Sequence, residues 1–181
     1  LIGESEKLEL ASAEETYERL TAGELHGLRL ALLHGRMSSA DKEAIMDRFR
    51  AGALDVLVVD AFSSDAIPVH LMTKEALDLY VSRLSPHGVV AFHISNRYLD
   101  LAPVVAALAR SVGGVATMGW HVPSEDQLNL SGGISVSRWA VVARASEDLG
   151  SLVNDTRWTL ISDLDGPLWT DDYSNVVGAF R

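Results

Sequence analysis

The chain of 181 residues contains no cysteine. That excludes a disulfide framework, a thiolate nucleophile and a Cys-ligated zinc, and it suits a reducing compartment. No apolar run approaches the roughly 20 residues that span a bilayer. The first ten residues, LIGESEKLEL, lack the basic start and apolar stretch of a signal peptide, so the expected location is cytoplasmic. Positive charge is also scarce: 15 Lys and Arg stand against 25 Asp and Glu, a formal net charge of -10. The basic residues are scattered, so a nucleic-acid partner would meet general repulsion. Proline is rare, at five residues, and no linker, repeat or low-complexity tract breaks the chain. With 48% hydrophobic residues it can bury one sizeable core, and a single α/β domain over residues 1–181 is expected.

What is present alternates between short apolar runs and amphipathic segments. Ser12 and Glu15 have capping-box spacing for a helix through Leu20. LRLALLHG (28–35) reads as a strand, and SSADKEAIMDRFRAG (38–52) as a helix with Ile45, Met46 and Phe49 on one face. LDVLVVD (54–60) is near-continuously apolar, as in a parallel strand buried on both faces. Thr73 can cap a helix carrying Leu77, Tyr80, Val81 and Leu84, and Pro86 to Gly88 end it. VVAFHIS (89–95) predicts the next strand, Pro103 to Val112 a helix, and VATMGWH (115–121) and SRWAVVARA (137–145) two more strands. The polar stretch between those two is long enough for a lid. The alternation predicts an α/β three-layer sandwich with a mostly parallel, Rossmann or methyltransferase-like sheet.

The stretch LDVLVVDAFSSDAIPVHLMT (54–73) ends its strand on one aspartate and presents a second five residues later. In open parallel sheets ligands bind beyond the carboxyl ends of the strands, where a partly desolvated carboxylate can be tuned for proton transfer. The plain alternative is that Asp60 caps a turn, a role that Ser63 and Ser64 could share.

The run DVLVVDAFSSDAIPVHLMTKEALDLYVSRLSPHGVVAFHISNRYLDLAPVVAALA, with the closing WTDDYSNVV, resembles bacterial spermidine synthase-like proteins over residues 54–181. These are aminopropyltransferases with a methyltransferase-like fold. The resemblance implies that Asp60 is the general base that takes the proton of the attacking amine, and that Asp65 anchors the substrate's ammonium group. It implies a polyamine or other small amine as partner and decarboxylated S-adenosylmethionine as co-substrate. The family's GGGDG-type turn and the acidic residue ending its second strand are both absent. Upstream of Asp55 the only candidates for that turn are the lone Gly3 in LIGES and Gly35 in LLHGR, so no cofactor site is evident. The family's tyrosine-bearing N-terminal β-domain has no counterpart within these 181 residues.

The preceding sequence resembles something else. LIGESEKLELASAEETYERL and LRLALLHGRMSSADKEAIMDRFRAGALDVLV resemble the second RecA-like domain of RecG-type DNA helicases over residues 1–58. The later helicase motifs that contact ATP would follow Val58, where the synthase-like sequence has begun. Both families carry a DVLV-type strand, so the two resemblances meet in register there.

Among other polar residues, His70 and His93 would flank the cleft and could touch a substrate, although isolated histidines more often serve packing. The synthase-like resemblance implies that Asp171 and Asp172 add negative charge for a polyamine, and the plain alternative for such a pair is a solvated turn. His34 and Arg36 would face nucleotide or DNA in a complete helicase. No histidine and carboxylate group has metal-ligand spacing. Three readings follow: an aminopropyltransferase-like domain that is catalytically incomplete, a fragment of an ATP-dependent DNA helicase, and a non-catalytic chimeric fold.

Overall fold

The computed structural model describes Tyr17 and residues 27–33, 38–59, 69–96, 98–121 and 136–179. The helix expected over residues 12–20 lies outside these, apart from Tyr17, which is helical. Six strands, β1 (Leu30–Leu33), β2 (Leu54–Val59), β3 (Leu84–His93), β4 (Val115–His121), β5 (Ser137–Ala143) and β6 (Trp158–Leu160), form one sheet in the order β1-β2-β3-β5-β4-β6. Three helices, α1 (Ser39–Arg50), α2 (Lys74–Arg83) and α3 (Ala102–Ser111), connect the first four strands.

The α/β class is as expected, but the sheet is not mostly parallel in its pairings. β1 with β2 and β2 with β3 pair parallel, whereas β3 with β5, β5 with β4 and β4 with β6 pair antiparallel. The chain of pairings means that β1 to β4 all point one way. The α3 crossover carries the chain from β3 to a parallel β4 one position too far, and β5 returns into the gap. β5 runs opposite to both of its neighbours, and residues 122–135, which join it to β4, lie outside the described residues.

Local sequence explains the helices. Ser38 Oγ accepts the Asp41 N–H at 3.1 Å to start α1, and Gly52 at φ 65° ends it. Thr73 Oγ1 accepts the Ala76 N–H at 3.2 Å to start α2. Pro103 lies in the first turn of α3, where its missing N–H costs nothing. Because β1, β2, β3 and β4 progress in one direction across the sheet, right-handed crossovers put all three helices on the same face. Phe49, Leu77, Val104, Val105 and Leu108 accordingly share one core with Leu57, Val59, Val90 and Phe92. The opposite face carries Leu30, Leu32, Val56 and Val58, with Tyr17 and Trp139 against them. Further along it, Leu149 from the 3₁₀ segment Ser146–Val153 covers Val141 and Ala143. β2 is therefore buried on both faces, which its continuous apolar run anticipates.

β3 begins at Leu84, earlier than its apolar run suggests. Leu54 pairs with Leu84 and Val56 with Val89, so the four residues SPHG (85–88) of β3 oppose the single Asp55 of β2 and bulge out. The Arg144 guanidinium holds this bulge, donating to Ser85 O at 2.7 Å, to Pro86 O at 3.0 Å and to Val81 O.

Candidate functional site at the carboxyl edge of the sheet

Strands β1 to β4 end at one edge, and the chain leaves β2 there through residues 60–68. Asp60 and Asp65, the expected base and amine anchor, lie outside the described residues. The segment re-enters at the 3₁₀ turn Val69–Leu71, which carries His70 exposed to solvent, and then at Met72 and Thr73, both buried.

The C-terminal segment crosses the start of α2. Trp169 is fully buried and its carbonyl accepts the Lys74 N–H at 2.8 Å. Two residues on, Asp171 Oδ1 accepts the Thr73 hydroxyl at 2.7 Å, and the Asp171 N–H donates to Glu75 Oε2 at 3.0 Å. Asp172 is exposed beside it. The helix start thus carries the Glu75, Asp171 and Asp172 carboxylates. A helix N-terminus tolerates such negative charge because its free N–H groups are partly positive. The adjacent Lys74 is paired with Asp78 at 2.6 Å.

His93 ends β3 on the other face. Phe92 and Ile94 belong to the helical core, so strand alternation turns His93 away from it, and its ring stacks on Trp139 with centroids 4.8 Å apart. The edge therefore brings Asp171 to the α2 start, with Asp172 next to it in the chain, and sets His93 on the opposite side of the sheet.

Sequence reasoning missed a further group at this edge. Arg138, at the start of β5, is 9% exposed. Its Nη1 donates to Asp100 Oδ1 at 2.9 Å, its Nε to Met118 Sδ at 2.7 Å, and its guanidinium lies 5.4 Å from the centroid of the Trp120 ring. The backbone fixes the same residue: its N–H donates to Ser95 Oγ at 2.7 Å and its carbonyl accepts the Ile94 N–H at 2.8 Å. Asp100 also accepts the Ala102 N–H at 3.3 Å at the start of α3. A buried cation is thereby neutralised and shielded by an aromatic face. The available signal was an arginine inside an otherwise apolar strand. Glu75 carries no pattern that separates it from an ordinary first-turn acid. Among the described residues no group of three or more potential metal ligands converges, and no helix is long and apolar enough to cross a membrane.

No family model matches the chain. Among curated proteins it is similar to ATP-dependent DNA helicase RecG of Mycobacterium bovis, 58% identical over 48 residues, 26% of this chain and 6% of the helicase. RecG of Mycobacterium leprae is 55% identical over 82 residues, 45% and 10% respectively. RecG of Thermotoga maritima is 33% identical over 93 residues, 51% and 11%. The chain spans about a tenth or less of these relatives' length. The longer matches exceed the 58 residues assigned to the helicase-like segment. Among solved structures, a probable spermidine synthase from Corynebacterium glutamicum superimposes with a TM-score of 0.40 at 15% identity, covering 75% of this chain and 53% of that one. The helicase component is carried by sequence identity, whereas the structural likeness is too low to bear on activity.

Proposed function

We propose that this chain is a spermidine synthase-like α/β domain that binds small polyamines weakly at the carboxyl edge of its sheet and does not transfer aminopropyl groups. The observation that supports amine binding is the fixed Asp171 carboxylate, held by the Thr73 hydroxyl beside Glu75 and Asp172. A diammonium ligand would meet several carboxylates there through charge-assisted hydrogen bonds. By the sequence resemblance, Asp60 and Asp65 contribute the remaining acids. Transfer is another matter, because the sulfonium carbon must be held in line with the amine at about 3 to 3.5 Å. The strand beside β2 is β1, and LHGRM follows it in place of a glycine-rich turn. Asp60 would then have a proton to accept and no electrophile positioned beside it.

Calorimetry with putrescine, spermidine, 5'-methylthioadenosine and ATP in parallel tests this reading. Putrescine or spermidine should bind with an affinity that falls as salt rises, and Asp60→Asn should weaken it. An unchanged dissociation constant for Asp60→Asn removes that residue from the site. A mass-spectrometric assay should detect no spermidine from putrescine and decarboxylated S-adenosylmethionine. Product that disappears in Asp60→Asn would overturn the negative half. The identity to RecG helicases favours a second reading, a piece of a helicase motor domain, and ATP binding without amine binding in the same calorimetry would select it.

A further inference from the structure

The opposite edge of the sheet carries a second group of side chains. The bulge of β3 presents His87, whose side chain is 87% exposed, and the 3₁₀ segment after β5 presents Asp148, whose side chain is 7% exposed. His87 Nδ1 lies 2.7 Å from Asp148 Oδ1. Asp148 Oδ2 accepts the Ala145 N–H at 3.2 Å, so both carboxylate oxygens are engaged and the group cannot turn away. The His87 backbone is fixed as well, because Arg144 grips the carbonyls of Ser85 and Pro86 beside it. A carboxylate can only accept, so Nδ1 carries the proton in this contact. The neutral ring then presents its lone pair at Nε2, to solvent. A buried, fixed carboxylate behind a histidine sets the tautomer and stabilises positive charge developing on the ring.

We propose that His87 is a nucleophilic modification site, oriented by Asp148, that accepts a phosphoryl group at Nε2 from small donors with a nitrogen–phosphorus bond. In the step, the Nε2 lone pair forms a bond to phosphorus while the bond from phosphorus to the donor's ammonium nitrogen breaks, and ammonia leaves. The ring keeps its Nδ1 proton and becomes a phosphoimidazolium, whose charge Asp148 balances. The proposal is independent of the amine-binding edge.

Phosphoramidate is the probe, applied to the full chain at about pH 8, where an ordinary imidazole is neutral. His70 is the internal control, since it is exposed and no carboxylate pairs with it among the described residues. Peptide mapping against time should show His87 labelled roughly threefold or more faster than His70. Phosphorus NMR should place the group on Nε2, and Asp148→Asn should bring the His87 rate down to that of His70. Equal rates in the unmodified chain, label on Nδ1, or a folded Asp148→Asn protein with an unchanged rate ratio would each overturn the proposal. If Asp148→Asn does not fold, the rate ratio and the labelled nitrogen of the unmodified chain decide.

Discussion

Removing Asp100 should destabilise the protein more than removing the arginine that it neutralises. Arg138 retains 11% side-chain exposure and Asp100 42%, so the pair is neither fully buried nor freely solvated. An exposed pair contributes at most about 1 kcal/mol, whereas removing one partner of a buried pair costs about 3 to 5 kcal/mol, because a charge is left uncompensated. Water can reach Asp100 but hardly reaches Arg138, which places Asp100→Ala between these limits, at about 2 to 3 kcal/mol. Part of that is the lost bond to the Ala102 N–H at the start of α3. Arg138→Met removes the charge instead and leaves an apolar chain between Met118 and Trp120, so its cost should stay below about 1.5 kcal/mol. Urea unfolding at neutral pH followed by tryptophan fluorescence measures both, and the double variant should fall well short of the sum. An Arg138→Met protein less stable than Asp100→Ala would refute the argument, because the guanidinium would then contribute more than it costs to bury.

Three further outcomes follow from the packing. The Arg29 guanidinium bonds Asp55 at 2.8 and 3.0 Å and holds its carboxyl well below the usual carboxylate range. That contribution is present above the unfolded Asp value of about 3.9 and fades as pH falls below it toward the depressed folded value, so the urea midpoints of Asp55→Asn and the unmodified chain should stay apart above about pH 4 and draw together only as the pH is lowered further. An ideal Cβ on Gly119 would sit 2.5 Å from Trp158 Cδ2, so Gly119→Ala should cost about 1 to 3 kcal/mol through displacement of that ring. Chemical denaturation of Gly119→Ala in a Trp158→Leu background should recover most of it. Burial pushes the Tyr80 hydroxyl up to about 12, so the stability from keeping it neutral is present below about pH 10 and is lost as pH rises through 12. Tyr80→Phe should therefore unfold later in an alkaline titration followed by circular dichroism.

Most elements were legible because their signals are local. Ser38 and Thr73 cap where their spacing indicates, and the apolar run of β2 gives its burial on both faces. Strand direction was not legible, since alternating strands and helices look alike whether or not a later strand returns into a gap. β6 has three residues, with Thr159 and Leu160 exposed, too short a run to show an alternation. The extension of β3 back to Leu84 depends on Arg144, which is distant in sequence and silent until the bulge folds against it. At the carboxyl edge, only the resemblance singled out Asp171, and its contact with Thr73, which joins residues 98 apart, was not legible. The Arg138 group likewise needs β4, β5 and the start of α3 together, so no window of sequence contains it.

On the proposed reading, the junction between the two resembling segments lets a composite sheet hold where a composite site would not. β1 meets β2 through four parallel pairs, from Leu30 with Val56 to Leu33 with Val59, and the Arg29 carbonyl accepts the Asp55 N–H at 2.8 Å just before them. Parallel pairing reads backbone groups and apolar bulk, so any β-branched or leucine-rich strand of the right length satisfies it. Chemistry is read at the strand ends, where particular turns must bring main-chain N–H groups and acids to a ligand. Exchanging one buried strand keeps the first requirement and replaces the turn that follows it. On the proposed reading, the acids after β2 and at the α2 start can still attract a cation, because attraction needs only charge in roughly the right place. Transfer needs a second reactant held to within fractions of an ångström, and on the same reading the sequence HGRM (34–37) that follows β1, with a single glycine, supplies no such hold.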